Sequence, residues 1–219
     1  MQIKFQKKIT DYDYLVMFDL ASKVSGICVW SVKEHRPIST KVMKVTGDGL
    51  PVYTLYELID AFFTELRQTV SLDRALVAKE AMPIQAGKFS TIQTLIALAR
   101  SHAILDFYLE DHNIDCYDTT GIYPASTRAY FKKIHPMENG VHEEKEDINK
   151  FVVDKYSLQP KTLDESDAIF LAETLIDSKW NKDIDDEIRE VKRHKKTLKA
   201  PHAIAVCDDK IQFLLSLKI

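Results

Sequence analysis

The chain has 219 residues, of which 45% are hydrophobic and 29% charged, and its net charge is -3. That length holds one large domain with a sizeable core, and the scarcity of glycine and proline excludes long disordered linkers. A balance this close to neutral announces no polyanionic partner, although the clustering of charges matters more than their sum.

Tyr14 to Ala21 reads as a buried strand and Gly26 to Val32 as a second, joined by a short turn carrying Lys23 and Ser25. Ile38 to Val45 reads as a third, ending at the turn signal Thr46-Gly47-Asp48-Gly49. Pro51 opens a helix whose apolar stripe is Leu55, Leu58, Ile59, Phe62, Phe63 and Leu66. Leu72 to Lys79 is the fourth strand. After Gly87 comes a long helix, with Leu95, Ala99, His102, Ala103 and Phe107 expected inside. Ile114 to Tyr117 is a short fifth strand, and Pro124 to Lys133 a helix with proline in its first turn. Pro136 to Glu144 reads as a polar loop. Helices follow over Lys145 to Tyr156 and Leu163 to Ser178.

Beyond Trp180 the chain is acidic from Asp183 to Glu190 and basic from Lys192 to Lys199. Pro201 breaks it, and His202 to Leu215 resembles a hairpin turning at Asp208-Asp209. This order predicts a mixed α/β domain: five strands, three antiparallel and then parallel additions, flanked by helices. Residues 1–180 form that domain, and 181–219 an extension packed on it.

The cysteines, Cys28, Cys116 and Cys207, are odd in number and lack CxxC spacing. That disfavours a disulfide framework or a thiolate zinc site and predicts buried free thiols. No stretch is long and apolar enough for a bilayer, and Met1 to Lys8 lacks the apolar core of a signal peptide. A cytoplasmic location is the resulting expectation.

Four carboxylates stand where a carboxylate is costly. Asp19 ends the run Tyr14-Leu15-Val16-Met17-Phe18, and Glu80 ends Ala75-Leu76-Val77-Ala78-Lys79. Asp164 and Asp167 share a face at i, i+3. Separately, each has an ordinary explanation: a turn cap, a solvated strand end, or a charge beside a helix N-terminus. Thr162 and Glu165 fit a capping box, so Glu165 is left out of the set. Ala21, Ser25 and Gly26 are small and would let another group approach the backbone after Asp19. Brought together, the four acids repel one another unless a cation neutralises them, and their oxygens suit a hard divalent ion such as Mg²⁺.

Three blocks carry a family resemblance: Phe18-Asp19-Leu20-Ala21-Ser22-Lys23-Val24-Ser25-Gly26, then Val77-Ala78-Lys79-Glu80, then Asp164-Glu165-Ser166-Asp167-Ala168. In this order they resemble the RuvC family of Holliday junction resolvases, within the ribonuclease H-like superfamily, over about Tyr14 to Ser178. Phage-encoded members are the nearest in kind, which would place the protein in the host cytoplasm.

The resemblance implies a ribonuclease H-like fold, a homodimer through the helix around Thr91 to Leu109, and metal-dependent nicking of branched DNA. It assigns Asp19, Glu80, Asp164 and Asp167 to two Mg²⁺ ions, for which Mn²⁺ would substitute, with no organic cofactor. Asp19 would bridge the two. Lys145 becomes a catalytic cation, and Arg128 a cation near the scissile phosphate. Lys132 and Lys133, with Lys192, Arg193, Lys195, Lys196 and Lys199 in the tail, are candidate DNA contacts. Pairing of that basic run with the acidic run before it is the competing reading. One departure from the family stands at Pro83, where bacterial members often carry an aromatic residue; Phe89 is its candidate replacement.

Other readings of the same residues are an actin-like ATPase domain, a non-catalytic DNA-binding protein, or a related nuclease on forks, flaps or RNA–DNA hybrids. The ATPase reading needs a second phosphate-binding glycine motif and normally two domains, and these 219 residues offer neither a suitable late glycine pair nor the length expected for it.

Overall fold

The computed structural model describes residues 8–45, 51–82, 91–118, 121–134, 145–216 and 218. The expected turn at Thr46 to Gly49, the loop at Pro136 to Glu144, Pro83 and Phe89 lie outside them.

Four strands form one sheet: β1 (Tyr14–Asp19), β2 (Val24–Ser31), β3 (Arg36–Lys44) and β4 (Ala75–Lys79), in the order β3-β2-β1-β4. β2 pairs antiparallel with β1 and with β3, and β4 lies parallel to β1. The antiparallel opening and parallel addition match the reading from sequence, but the fifth strand does not form.

Its residues do lie along the outer edge of β4, through isolated parallel bridges at Val77–Cys116 and Glu80–Ile122. The bridged residues are six apart in that segment and three apart in β4, so the two bridges do not belong to one continuous ladder.

Side chains alternate across the sheet and give each face its own core. Val16, Phe18, Ile27, Val29 and Val77 pack beneath α1 (Pro51–Leu66) and α2 (Ile92–Asp111). Leu15, Met17, Cys28, Trp30 and Leu76 pack beneath α5 (Leu163–Lys195). Two shorter helices, α3 (Pro124–Ile134) and α4 (Lys145–Tyr156), lean on α5. The cysteines are free; Cys28 and Cys207 are buried and Cys116 partly so. No described helix is long and apolar enough to cross a membrane.

Three expectations need correction. The buried residues of α2 are Ser101, His102, Leu105, Tyr108 and Leu109, so of the expected set only His102 is inside. Phe107 is 61% exposed. Apolar residues occur on both faces of this helix, and periodicity alone cannot choose between them. α5 does not end near Ser178 but runs unbroken to Lys195, because Trp180, Ile184 and Ile188 continue its buried face.

The expected C-terminal hairpin is a helix, α6 (Pro201–Ser216). Its buried residues Cys207, Ile211 and Leu214 fall at helical spacing, Asp208 and Asp209 are exposed, and Pro201 opens the helix instead of breaking the chain. α6 packs back on α5, Ile211 and Leu214 joining the core that holds Ile184 and Ile188.

The start of α5 is fixed by the expected capping box. Glu165 N–H donates to Thr162 Oγ1 at 3.3 Å, and Thr162 N–H donates to Glu165 Oε2 at 3.1 Å. Thr40 Oγ1 on β3 donates to Glu165 Oε1 at 3.2 Å, tying the cap to the sheet. Thr162→Ala is expected to cost about 1 kcal/mol and to lower the melting temperature by about 2–4 °C, as read by thermal unfolding.

Candidate active site

Asp19 is the last residue of β1, and Gly26 is its register partner on β2. Glu80 follows the last residue of β4, and its N–H donates to Phe18 O at 2.9 Å. The carboxyl ends of two parallel neighbours thus deliver two acids side by side. Asp164 and Asp167 occupy the first turns of α5, which docks over the same ends. Carboxylate oxygens of Asp19, Asp164 and Asp167 all lie within 4.8 Å of one another. Glu80 joins the trio by sharing a hydrogen bond with Asp19.

Two glycines make this approach possible. A Cβ on Gly26 would sit 2.0 Å from the carbonyl oxygen of Asp164, so the first turn of α5 rests directly on β2. Gly121, with φ of +82°, would place a Cβ 2.7 Å from Glu80 O, and it lets the 121–122 segment close on the end of β4.

Burial pushes the Asp19 carboxyl well above its ordinary range, and the charges of Glu80 and Asp167 push it further. Burial also raises Glu80 and Asp167. Lys145, the first residue of α4, answers part of this charge. Its Nζ lies 2.7 Å from Asp167 Oδ2 and 3.2 Å from Asp164 Oδ1. Burial alone would lower the Lys145 ammonium, but the hydrogen bonds and charges of Asp167 and Asp164 outweigh it and hold it protonated.

Lys145 and Arg128 against four acids still leave the cluster short of positive charge. In the same cleft, of about 240 Å³, the Thr127 hydroxyl is buried and has no hydrogen-bond partner among the described residues. An all-oxygen donor set and excess negative charge fit a hard divalent cation.

The cleft is also lined by Arg128 on α3, whose charge acts on Glu80. Six residues expected in the site therefore meet: Asp19, Glu80, Asp164, Asp167, Lys145 and Arg128. Lys132 and Lys133, exposed in the last turn of α3, do not line the cleft. Lys192, Arg193, Lys195 and Lys196 lie at the far end of α5.

Sequence reasoning missed Thr127, which carries no signal beyond its position one residue before Arg128. It also missed the contact that docks α4 on α5: Ser166 Oγ, fully buried, donates to Asn149 Oδ1 at 2.6 Å. Asn149 follows Lys145 by one helical turn, so this bond fixes where Lys145 meets the acids.

From behind, α2 reaches both strand ends. Ser101 Oγ donates to Ala21 O at 3.4 Å, two residues beyond Asp19. Lys79, one residue before Glu80 and 1% exposed, extends to the opposite face and pairs with Asp106 of α2.

Comparison with protein-family models and with curated proteins gives no match to this sequence. Solved structures do match in three dimensions. Thermus thermophilus RuvC in complex with a Holliday junction substrate superposes with a TM-score of 0.53 at 13% identity, over 74% of this chain and 91% of that one. A second Thermus thermophilus RuvC structure gives 0.52 at 13%, over 74% and 92%. The yeast mitochondrial Holliday junction resolvase Ydc2 gives 0.50 at 14%, over 91% and 84%. With its mixed sheet, crossing helices and acids at the strand ends, the chain has the fold of the RuvC-like Holliday junction resolvases.

Proposed function

We propose that this protein is a metal-dependent, structure-specific endonuclease that nicks branched DNA, four-way junctions foremost. The observation that carries the reading is the meeting of Asp19, Glu80, Asp164 and Asp167 with Lys145 in one cleft, on a fold shared with junction resolvases.

The four acids would hold a pair of divalent cations, Mg²⁺ or Mn²⁺, which when bound supply an activated water and neutralise charge on the scissile phosphate. Asp19, reached by all the other acids, is the residue suited to bridge them. Lys145 and Arg128 orient the phosphate and offset the charge that builds on its oxygens. Lys132 and Lys133 extend that positive surface along α3 toward the neighbouring backbone phosphates. Asn149 holds Lys145 through Ser166 and serves as a positioning residue. The products are a 5′ phosphate and a 3′ hydroxyl.

A homodimer places two such clefts on two strands of one junction. Its interface is the outer face of α2, where Ile92 is 72%, Ile96 48% and Phe107 61% exposed.

A substrate panel tests this: four-way junction, fork, flap, linear duplex and RNA–DNA hybrid, each with Mg²⁺, Mn²⁺ or a chelator. Branched DNA is expected to be nicked close to the branch point with either metal and left intact with the chelator. Faster cutting of linear duplex or hybrid would remove the branched-DNA assignment. Cutting that persists in chelator would remove the metal.

A further inference from the structure

We infer that the tip of the α5–α6 hairpin is a second DNA-binding surface, which grips a duplex arm about one helical turn from the cleft. The inference rests on the nuclease reading above.

The alternative for the basic run is internal pairing with the acidic run that precedes it. The structure satisfies those acids elsewhere. Asp185 pairs with Lys218 at 2.6 Å, Glu187 with Lys210 at 2.9 Å, Glu190 with Lys8 at 3.2 Å, and Asp186 with Arg189. Lys195 alone of the basic run is taken, by Asp208 of α6. Lys192, Arg193, Lys196 and Lys199 are exposed, and among the described residues no carboxylate pairs with them. Lys192 and Lys196 stand one turn apart on one face, with Arg193 beside them. The negative end of the helix dipole favours cations here, but its charge of about one half does not account for four.

α5 is unbroken from the acids to this tip. Lys192 lies 25 residues beyond Asp167, which at about 1.5 Å per residue is about 38 Å. Duplex DNA rises about 3.4 Å per base pair, so the tip falls about 11 base pairs along an arm from a phosphate held in the cleft. That separation returns the backbone to nearly the same side of the duplex. Four cations without a carboxylate partner among the described residues, Lys192 and Arg193 in the last turn of α5 with Lys196 and Lys199 just beyond its end, suit backbone phosphates and read no sequence.

The test compares wild type with the variant K192Q/R193Q/K196Q/K199Q, binding four-way junctions with hairpin-capped arms of about 8 or about 20 base pairs, in chelator, over a range of KCl. Wild type should bind the long-armed junction with a steeper salt dependence than the short-armed one. In the variant the two should become alike, the long-arm slope falling by about 0.9 for each phosphate that is no longer neutralised. The charge-keeping variant K192R/K196R/K199R should behave as wild type.

A quadruple variant that melts like wild type and keeps both the slope and the arm-length discrimination would overturn the arm contact while leaving the nuclease reading in place. A wild type that binds no branched DNA would overturn both.

Discussion

Asp19→Asn should lower DNA cleavage by three orders of magnitude or more while junction binding persists, and should raise the melting temperature of the metal-free protein. Asp19 is the acid all the others approach, so its loss removes the shared ligand from the proposed metal pair. A thousandfold loss corresponds to about 4 kcal/mol of transition-state stabilisation. Binding persists because Lys145, Arg128 and the basic surfaces remain.

The stability gain follows from burial and from the neighbouring charges. The folded protein holds the Asp19 carboxyl above its ordinary value of 3.8. A carboxyl shifted upward contributes stability that is fully present below the unfolded value and is lost as pH rises toward the folded one. The gain from Asn should therefore be small near pH 4 and grow to several degrees at pH 7–8. Thermal unfolding of both proteins in chelator across that range measures it. Adding Mg²⁺ should then stabilise wild type more than the variant, since only wild type offers the complete site. A variant that cuts at the wild-type rate would take Asp19 out of the site.

Gly26→Ala should be strongly damaging for the addition of a single methyl. The new Cβ would lie 2.0 Å from the Asp164 carbonyl oxygen, 2.5 Å from its carbon and 3.1 Å from Glu165 N. Every one of these is backbone, so no flexible side chain can swing away. The first turn of α5 has to retreat, and it carries Asp164, Asp167 and the Glu165 cap with it. A cost of about 3 kcal/mol is expected for such overpacking, which is about 6–12 °C in melting temperature for a chain of this size. In the protein that still folds, displacing two acids by about an ångström should slow cutting about a hundredfold. Thermal unfolding and single-turnover cleavage at a temperature where the variant is folded separate the two effects. Wild-type stability would mean that α5 is not seated on β2.

The site was more legible in the sequence than the periphery was. Asp19, Glu80, Asp164 and Asp167 each interrupt an apolar pattern or follow a cap; each has an ordinary explanation alone, but the four together repel one another unless a cation neutralises them. The capping box at Thr162 was legible because its chemistry is local. What failed depended on distant partners. The two faces of α2 are both apolar, so its inward face is chosen by the sheet and not by its own pattern. Asp208-Asp209 reads as a turn until Lys195 is seen opposite it. The edge segment at Cys116 and Ile122 has strand composition, but its extra length against β4 is a property of the pairing. Thr127 and Asn149 matter only through what folding places beside them.

The contacts of α2 with Ala21 and Lys79 carry a mechanical consequence. One cylinder is pinned to the main chain just beyond one acid and to the side chain just before another, while its opposite flank stays bare and greasy. A tilt imposed on that flank would be handed to both strand tips together. Any body that settles there gains leverage over how tightly the two carboxylates are clasped.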